Sequence, residues 1–130
     1  MKHYNVVAAV VCHDGKYLCM QKGKTKFEYT SYKWEFPGGK IELGETPQQA
    51  LARELMEEME YPVEVGEELV TVNHEYPDFS ITMTAFLCTP KGDANGFRRR
   101  EHADSKWCSK DELKGLNWAA ADVDVVEGIL

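Results

Sequence analysis

Three glutamates stand at helical spacing in the middle of the chain: Glu54, Glu57 and Glu58, at i, i+3 and i+4. On a helix that spacing projects all three from one face. Like charges so placed cost about 0.2–0.5 kcal/mol per pair. Arg53, at i−4 from Glu57, offsets only part of this. Folding alone would be better served by a mixture of Lys and Glu. A cluster of hard oxygen donors is what Mg²⁺ or Mn²⁺ requires, above all when substrate phosphates complete the coordination. An exposed acidic face is the plainer account, and for three glutamates taken alone it is the commoner one. Upstream, Gly38-Gly39 permits close approach of backbone to a ligand, with carbonyls that can reach a metal. Lys40 adds a compact positive charge suited to a phosphate. An ordinary turn would explain a Gly-Gly pair equally well.

Charge along the chain is compatible with this, although on charge alone plain surface acidity is the favoured account. Ile41–Glu68 carries nine acids and one base, a local −8 within a total of −7, whereas the first forty residues are at +4. An acidic stretch beside a lysine-rich one suits a divalent cation and an anion bound side by side. Basic charge is not spread over a face as a duplex-binding protein would need, so no nucleic acid polymer is expected as a partner. With 130 residues, 43% of them hydrophobic, and a mean hydropathy of −0.46, a single domain over residues 1–130 is expected. That apolar content and the lack of a repeat exclude disorder, collagen and coiled coil. The longest apolar run, Val6–Cys12, is too short to span a bilayer, and Met1–Asn5 lacks signal-peptide features, so a cytoplasmic protein is expected. Cys12, Cys19, Cys88 and Cys108 show no CxxC spacing and are read as reduced thiols.

Several elements must position these groups. Val6–Cys12 and Tyr17–Gln21 read as strands joined at Asp14-Gly15, a hairpin signal. Lys22–Lys33 reads as a loop, and Trp34-Glu35-Phe36 leads into a break at Pro37-Gly38-Gly39. The strongest helix signal follows: Thr46 as N-cap, Pro47 at the first position, Gln49 at capping-box spacing, and Pro62 as the stop. Its apolar stripe is Leu51, Leu55 and Met59, flanked by Ala52 and Met56. Val63–Tyr76 and Phe79–Cys88 alternate as paired strands, with Phe79, Ile81, Met83, Ala85 and Leu87 on one face. Ser105–Cys108 reads as a short strand and Asp111–Leu113 as a helical turn. Ala119–Leu130 reads as a final helix with Val123, Val126 and Leu130 inward. Strands on both sides of a central helix indicate a mixed α/β domain.

Read together, GGKIELGETPQQALARELMEEMEY resembles the Nudix box. Gly39, Glu45, Arg53, Glu54, Leu55, Glu57 and Glu58 fall on the places of that signature. It then expects a glycine and an aliphatic residue where Glu60 and Tyr61 stand, which predicts a different helix exit. The resemblance implies an α/β (α+β) fold, the Nudix-type α/β/α sandwich with a mixed β-sheet, a central catalytic helix and a C-terminal helix. It also implies hydrolysis of a nucleoside diphosphate linked to another group, with divalent metal, Mg²⁺ or Mn²⁺. By position, Glu54, Glu57, Glu58 and the Gly38 carbonyl would be metal ligands, oriented by Arg53 and Glu45.

Beyond the box, WEFPGGKIE, EHADSKW and the closing Ala-Ala-Ala-Asp segment resemble the MutT-type nucleoside triphosphate pyrophosphohydrolases. That likeness places Glu101 where a loop glutamate binds metal or helps activate water, and Lys22 and Lys40 at phosphate-binding positions. Glu101 could equally be one exposed acid beside Arg98-Arg99-Arg100, and Lys22 a solvated loop lysine. Asp122 falls at a base-reading position held by Asn in the 8-oxoguanine-specific members. An ionised Asp only accepts, so it would pair with an exocyclic amine such as cytosine N4, which resembles the CTP pyrophosphohydrolase branch. A charge at a helix N-terminus is the alternative reading of Asp122. The expected substrate is a small-molecule nucleoside triphosphate, cytidine nucleotides first and 8-oxo-dGTP second. A catalytically silent Nudix-like binding module is the alternative of another class. Phe27, Tyr29, Tyr32 and Phe79 are candidate stacking partners for a base, and the Arg98–Arg100 run is read as a solvated loop that could steer a triphosphate. Monomer and homodimer both remain open.

Overall fold

The computed structural model describes residues 1–130. Strand β1 (Lys2–His13) organises the sheet. Val7–Val11 are buried without interruption, which alternating side chains allow only where both sheet faces are covered. β1 pairs in parallel with β6 (Phe79–Pro90), from Lys2 opposite Phe79 to Val11 opposite Cys88. On its other edge β1 pairs antiparallel with β4 (Gly38–Lys40). β5 (Val63–Glu75) pairs antiparallel with β6 and completes the mixed group. Asp14 and Gly15, at φ 51° and 74°, reverse the chain as a type I′ turn requires. The returning β2 (Lys16–Lys22) forms an antiparallel group with β3 (Trp34–Glu35) and β7 (His102–Cys108).

The period of two along β1 divides the interior into two cores. Ala8 and Val10 face a cluster with Met83, Ala85 and the C-terminal helix α3 (Ala120–Ile129). Val7, Ala9 and Val11 face the other side, against the central helix α1 (Pro47–Met59). Sheet between helices is the α/β/α sandwich, with short α2 (Lys110–Leu113) at one end. The Phe79-to-Leu87 face packs as expected on the α3 side.

Helix α1 begins as its sequence dictates. The Thr46 hydroxyl accepts from the Gln49 N–H at 3.1 Å, and the Gln49 amide oxygen accepts from the Thr46 N–H at 3.0 Å. Ala50, Leu51, Leu55 and Met59 are buried, whereas Met56 is 48% exposed and does not flank the core. The expected exit is corrected. Glu60 itself adopts the left-handed conformation, φ 49° and ψ 41°, and its N–H caps the Leu55 and Met56 carbonyls. The backbone leaves the helix as a glycine would, with the steric cost of a Cβ.

Other differences have simple causes. Gly38–Lys40 forms a strand, because pairing with Val6–Ala8 supplies partners that the flanking Pro37 cannot. β7 starts at His102, since β2 offers it a partner as far as Lys22 across a bulge. In α3, Ala121, Asp122, Val125 and Val126 face inward, while Val123 is 41% and Leu130 53% exposed. The sheet selects the Ala121/Val125 row, which apolarity alone did not single out. All four cysteines are free. No helix is long and apolar enough to cross a membrane.

Candidate active site

Arg53 is the knot of the site, and all five of its N–H donors are engaged. Its Nε and one Nη grip both oxygens of Glu45 at 2.6 and 2.9 Å, and that Nη also reaches the Lys40 carbonyl at 3.0 Å. Its other Nη donates to Glu54 Oε1 at 2.9 Å and Glu57 Oε2 at 3.0 Å. One guanidinium therefore ties the turn before α1, the end of β4 and the helix, in the fork geometry that only Arg provides. It offsets two glutamates of the cluster. The hydrogen bonds from Arg53, with one from the Glu42 N–H, hold the Glu45 carboxyl below the usual carboxylate range.

Glu58 lies on the other side of the cluster and is half-buried. Burial first, then the neighbouring charges of Glu54, Glu101 and Glu35, push its carboxyl up to about 8. Four carboxylates thus converge from α1, β3 and the loop before β7. Glu54 and Glu58 sit on the C-terminal half of α1, where the helix dipole adds negative potential and no basic residue lies in the last turn. Gly39 shapes the same spot, because a Cβ there would overlap the Glu54 carboxylate. A Cβ on Gly38 would likewise overlap the Val7 carbonyl. As the side chains stand, no three His, Cys, Asp or Glu donors are arranged to hold one ion. The donor chemistry nevertheless fits a hard divalent cation. These groups are all oxygen donors, crowded and only partly offset by Arg53.

Beside the cluster opens a cavity of about 790 Å³, of a size that takes a small-molecule ligand. Gly38, Gly39 and Lys40 line the end nearest α1, and Asp122 and Phe36 lie along the α3 side. Lys40 Nζ rests 4.2 Å from the centre of the Tyr4 ring, a cation–π contact. Lys22 Nζ lies 3.5 Å from Glu35 Oε1, so it is a paired wall residue and not a free loop lysine. Asp122 is only 5% exposed, and its Oδ1 accepts from the Phe36 N–H at 2.9 Å. Desolvation, with the Glu35 charge, pushes its carboxyl up to about 8. Burial therefore works against the ionised, accept-only Asp122 expected from the sequence. Near neutral pH the buried carboxyl holds a proton and can donate as well as accept.

Phe27 and Phe79 line the cavity and stack with each other, ring centres 5.7 Å apart, and Tyr29 stacks on Phe27 at 5.1 Å. Tyr32 is exposed and lies outside the cavity. Sequence reasoning missed Tyr76, which stacks on Phe79 at 4.9 Å and whose hydroxyl accepts from the Ala121 N–H. It also missed Glu35, which joins Lys22 to His102; His102 Nε2 stands 3.0 Å from Glu35 Oε2. The signal for Glu35 was its place just before Pro37-Gly38-Gly39, where β3 must aim a side chain at the cavity. No local signal marks Tyr76. The Arg98–Arg100 run is solvent-exposed, as read from the sequence, with each side chain also engaged. Arg98 and Arg100 pair with Glu60, and Arg99 bonds the Ala103 carbonyl.

Comparison with known proteins accords with this architecture. Residues 1–127 match the NUDIX domain. The chain is 41% identical over 90 residues to the 8-oxo-dGTP diphosphatase of Proteus vulgaris, covering 68% of this chain and 78% of that one. It is 34% identical over 131 residues to the CTP pyrophosphohydrolase of Escherichia coli K12, covering 100% and 93%. Among solved structures, the MutT protein of methicillin-resistant Staphylococcus aureus 252, a Nudix hydrolase, superposes with a TM-score of 0.75 at 39% identity. That superposition covers 99% of this chain and 97% of the other. Enzymes of this kind act on small nucleotides. The chain belongs to the Nudix family, and it is a pyrophosphohydrolase of the MutT type.

Proposed function

We propose that residues 1–130 act as one Nudix domain, a cytoplasmic Mg²⁺-dependent pyrophosphohydrolase that converts a (d)NTP to (d)NMP and pyrophosphate, cytidine nucleotides first. The observation that carries the base assignment is Asp122, a buried carboxyl in the wall of the cavity with one oxygen engaged by the Phe36 N–H. An exocyclic amine such as cytosine N4 would donate to its remaining oxygen. That contact favours the carboxylate and draws its proton affinity down. A relative matched along the whole of this chain is also named a CTP pyrophosphohydrolase. The neutral form of Asp122 favours a second reading, because a protonated carboxyl presents donor and acceptor as Asn would. This suits 8-oxo-dGTP, the substrate in the name of the other relative.

In this reading Glu54, Glu57, Glu58, Glu101 and the Gly38 carbonyl would hold the metal, and Mn²⁺ would be able to replace Mg²⁺. When bound, the metal neutralises the phosphates and lowers the pKa of the attacking water. Arg53 holds Glu54 and Glu57 toward the site, and Glu45 locks Arg53 in turn. Lys22 and Lys40 neutralise phosphate oxygens along the cavity. A carboxylate of the cluster, Glu58 or Glu101, takes the proton of the water as it displaces pyrophosphate in line. The aromatic wall of Phe27 and Phe79 stacks the base. The test is pyrophosphate release from canonical, oxidised and methylated (d)NTPs at several pH values, with Mg²⁺ and with EDTA. Metal-dependent turnover led by cytidine nucleotides supports the proposal. A lead for 8-oxo-dGTP at all pH values transfers the assignment to the second reading.

A further inference from the structure

The end of α1 carries a residue whose conformation is costly and whose side chain has a specific task. Glu60 sits in the left-handed region at φ 49°, where a glycine would be relaxed. Its Oε2 lies 2.8 Å from Arg98 Nε and 2.7 Å from Arg100 Nη2, and the Met59 carbonyl beside it accepts from the Arg98 N–H at 2.8 Å. These contacts fall on both sides of Arg99, in the loop that ends at Glu101. The far side of that loop is held by β7, where His102 pairs opposite Lys22. Between these two anchors stands Glu101, next to His102, whose Nε2 lies 3.0 Å from Glu35 Oε2 at the edge of the carboxylate cluster. Without the Glu60 contacts, the α1 side of the loop would keep the Arg98 N–H bond to the Met59 carbonyl and the packing of Phe97 on Tyr61, but would lose the ion pairs that hold the Arg98 and Arg100 side chains.

We propose that Glu60 is a positioning residue, a clamp that holds the 98–101 loop against the end of α1 and so keeps the Glu101 carboxylate at the metal-binding face. The inference rests on the reading of Glu101 given under Proposed function. Each ion pair is exposed and individually weak, so global stability does not report it. The left-handed backbone provides the discriminating variant. Glu60→Gly relaxes the helix exit while it removes the clamp, so the protein becomes no less stable as its catalytic loop loosens.

The experiment compares wild type, Glu60→Gly, Glu60→Gln, Arg98→Gln with Arg100→Gln, and Glu101→Gln. Hydrogen exchange of the 98–101 amides is read in the metal-free protein, with kcat and KM for the best triphosphate under Mg²⁺. Expected for Glu60→Gly are a melting temperature at or above wild type, faster exchange at 98–101, and kcat down about fivefold with KM within twofold. The double arginine variant should match it. In the Glu101→Gln background, Glu60→Gly should cost nothing further. Unchanged exchange at 98–101 in Glu60→Gly overturns the clamp, whatever the activity. A kcat loss that persists in the Glu101→Gln background overturns its action through Glu101. Wild-type activity of Glu101→Gln with faster exchange in Glu60→Gly instead removes Glu101 from the mechanism and leaves the clamp standing as a contact.

Discussion

Replacing Asp122 by Asn should stabilise the protein, increasingly so as the pH rises. Burial pushes the folded-state carboxyl from 3.8 up to about 8. Between about pH 4 and pH 8 the native state therefore holds a proton that the unfolded chain has released. A raised carboxylate pKa favours the native state fully below the unfolded value, and that contribution is lost as pH climbs through this window. At 1.36 kcal/mol per unit, the loss by pH 7 is about 4 kcal/mol for a rigid, dry site. Water entering the cavity lowers it to about 2 kcal/mol. Asn keeps the oxygen that accepts from the Phe36 N–H, and its amide faces a cavity with room for water. Urea unfolding followed by tryptophan fluorescence at intervals from pH 4 to 8 gives the difference directly. The two proteins should agree near pH 4 and separate by about 2 kcal/mol or more at pH 7. A constant offset across that range would refute the reasoning, because it would mean that Asp122 titrates as an exposed carboxylate does.

Other expectations follow from the same contacts. Base preference should move toward cytidine nucleotides as pH rises through about 8, where Asp122 loses its proton, and Asp122→Asn should abolish that pH dependence in the pyrophosphate assay. The rise in melting temperature on adding Mg²⁺ should grow over the same range, because below about 8 the ion must displace the proton on Glu58. An increment equal at pH 6 and pH 8.5 would speak against Glu58 as a ligand. Glu57→Gln should lower kcat/KM by about 100-fold or more, while urea unfolding shows little change, since Glu57 is 61% exposed. Gly39→Ala should displace the Glu54 carboxylate and reduce kcat by at least about tenfold, with KM little affected. Arg53→Ala removes five hydrogen bonds at once. Allowing for its partial exposure, it should cost about 2 kcal/mol by urea unfolding and most of the activity.

The chain states its local structure openly where adjacent residues carry the whole cause. Thr46, Pro47 and Gln49 start α1 because their side chains satisfy the backbone donors of the helix's own first turn. Asp14-Gly15 makes the hairpin because left-handed conformations are needed there and these residues tolerate them. The family signature was legible as a resemblance carried by fixed identities from Gly39 to Glu58, and helical periodicity puts three of its carboxylates on one face. Tertiary structure decided the rest. Which row of α3 faces inward depends on the sheet beneath it, so Ala121 and Val125 are buried while the equally apolar Val123 and the larger Leu130 are not. Glu35 reaches the cavity through the register of β3 against β2, and Tyr76 is held there by the Phe79 carbonyl across the hairpin and by the Ala121 N–H of α3. The arginine run is held by a glutamate forty residues away in the sequence. The protonation of Asp122 and Glu58 depends on desolvation and on carboxylates from other elements. Residue type supplies a group's reference pKa, and only the folded surroundings decide how far it moves.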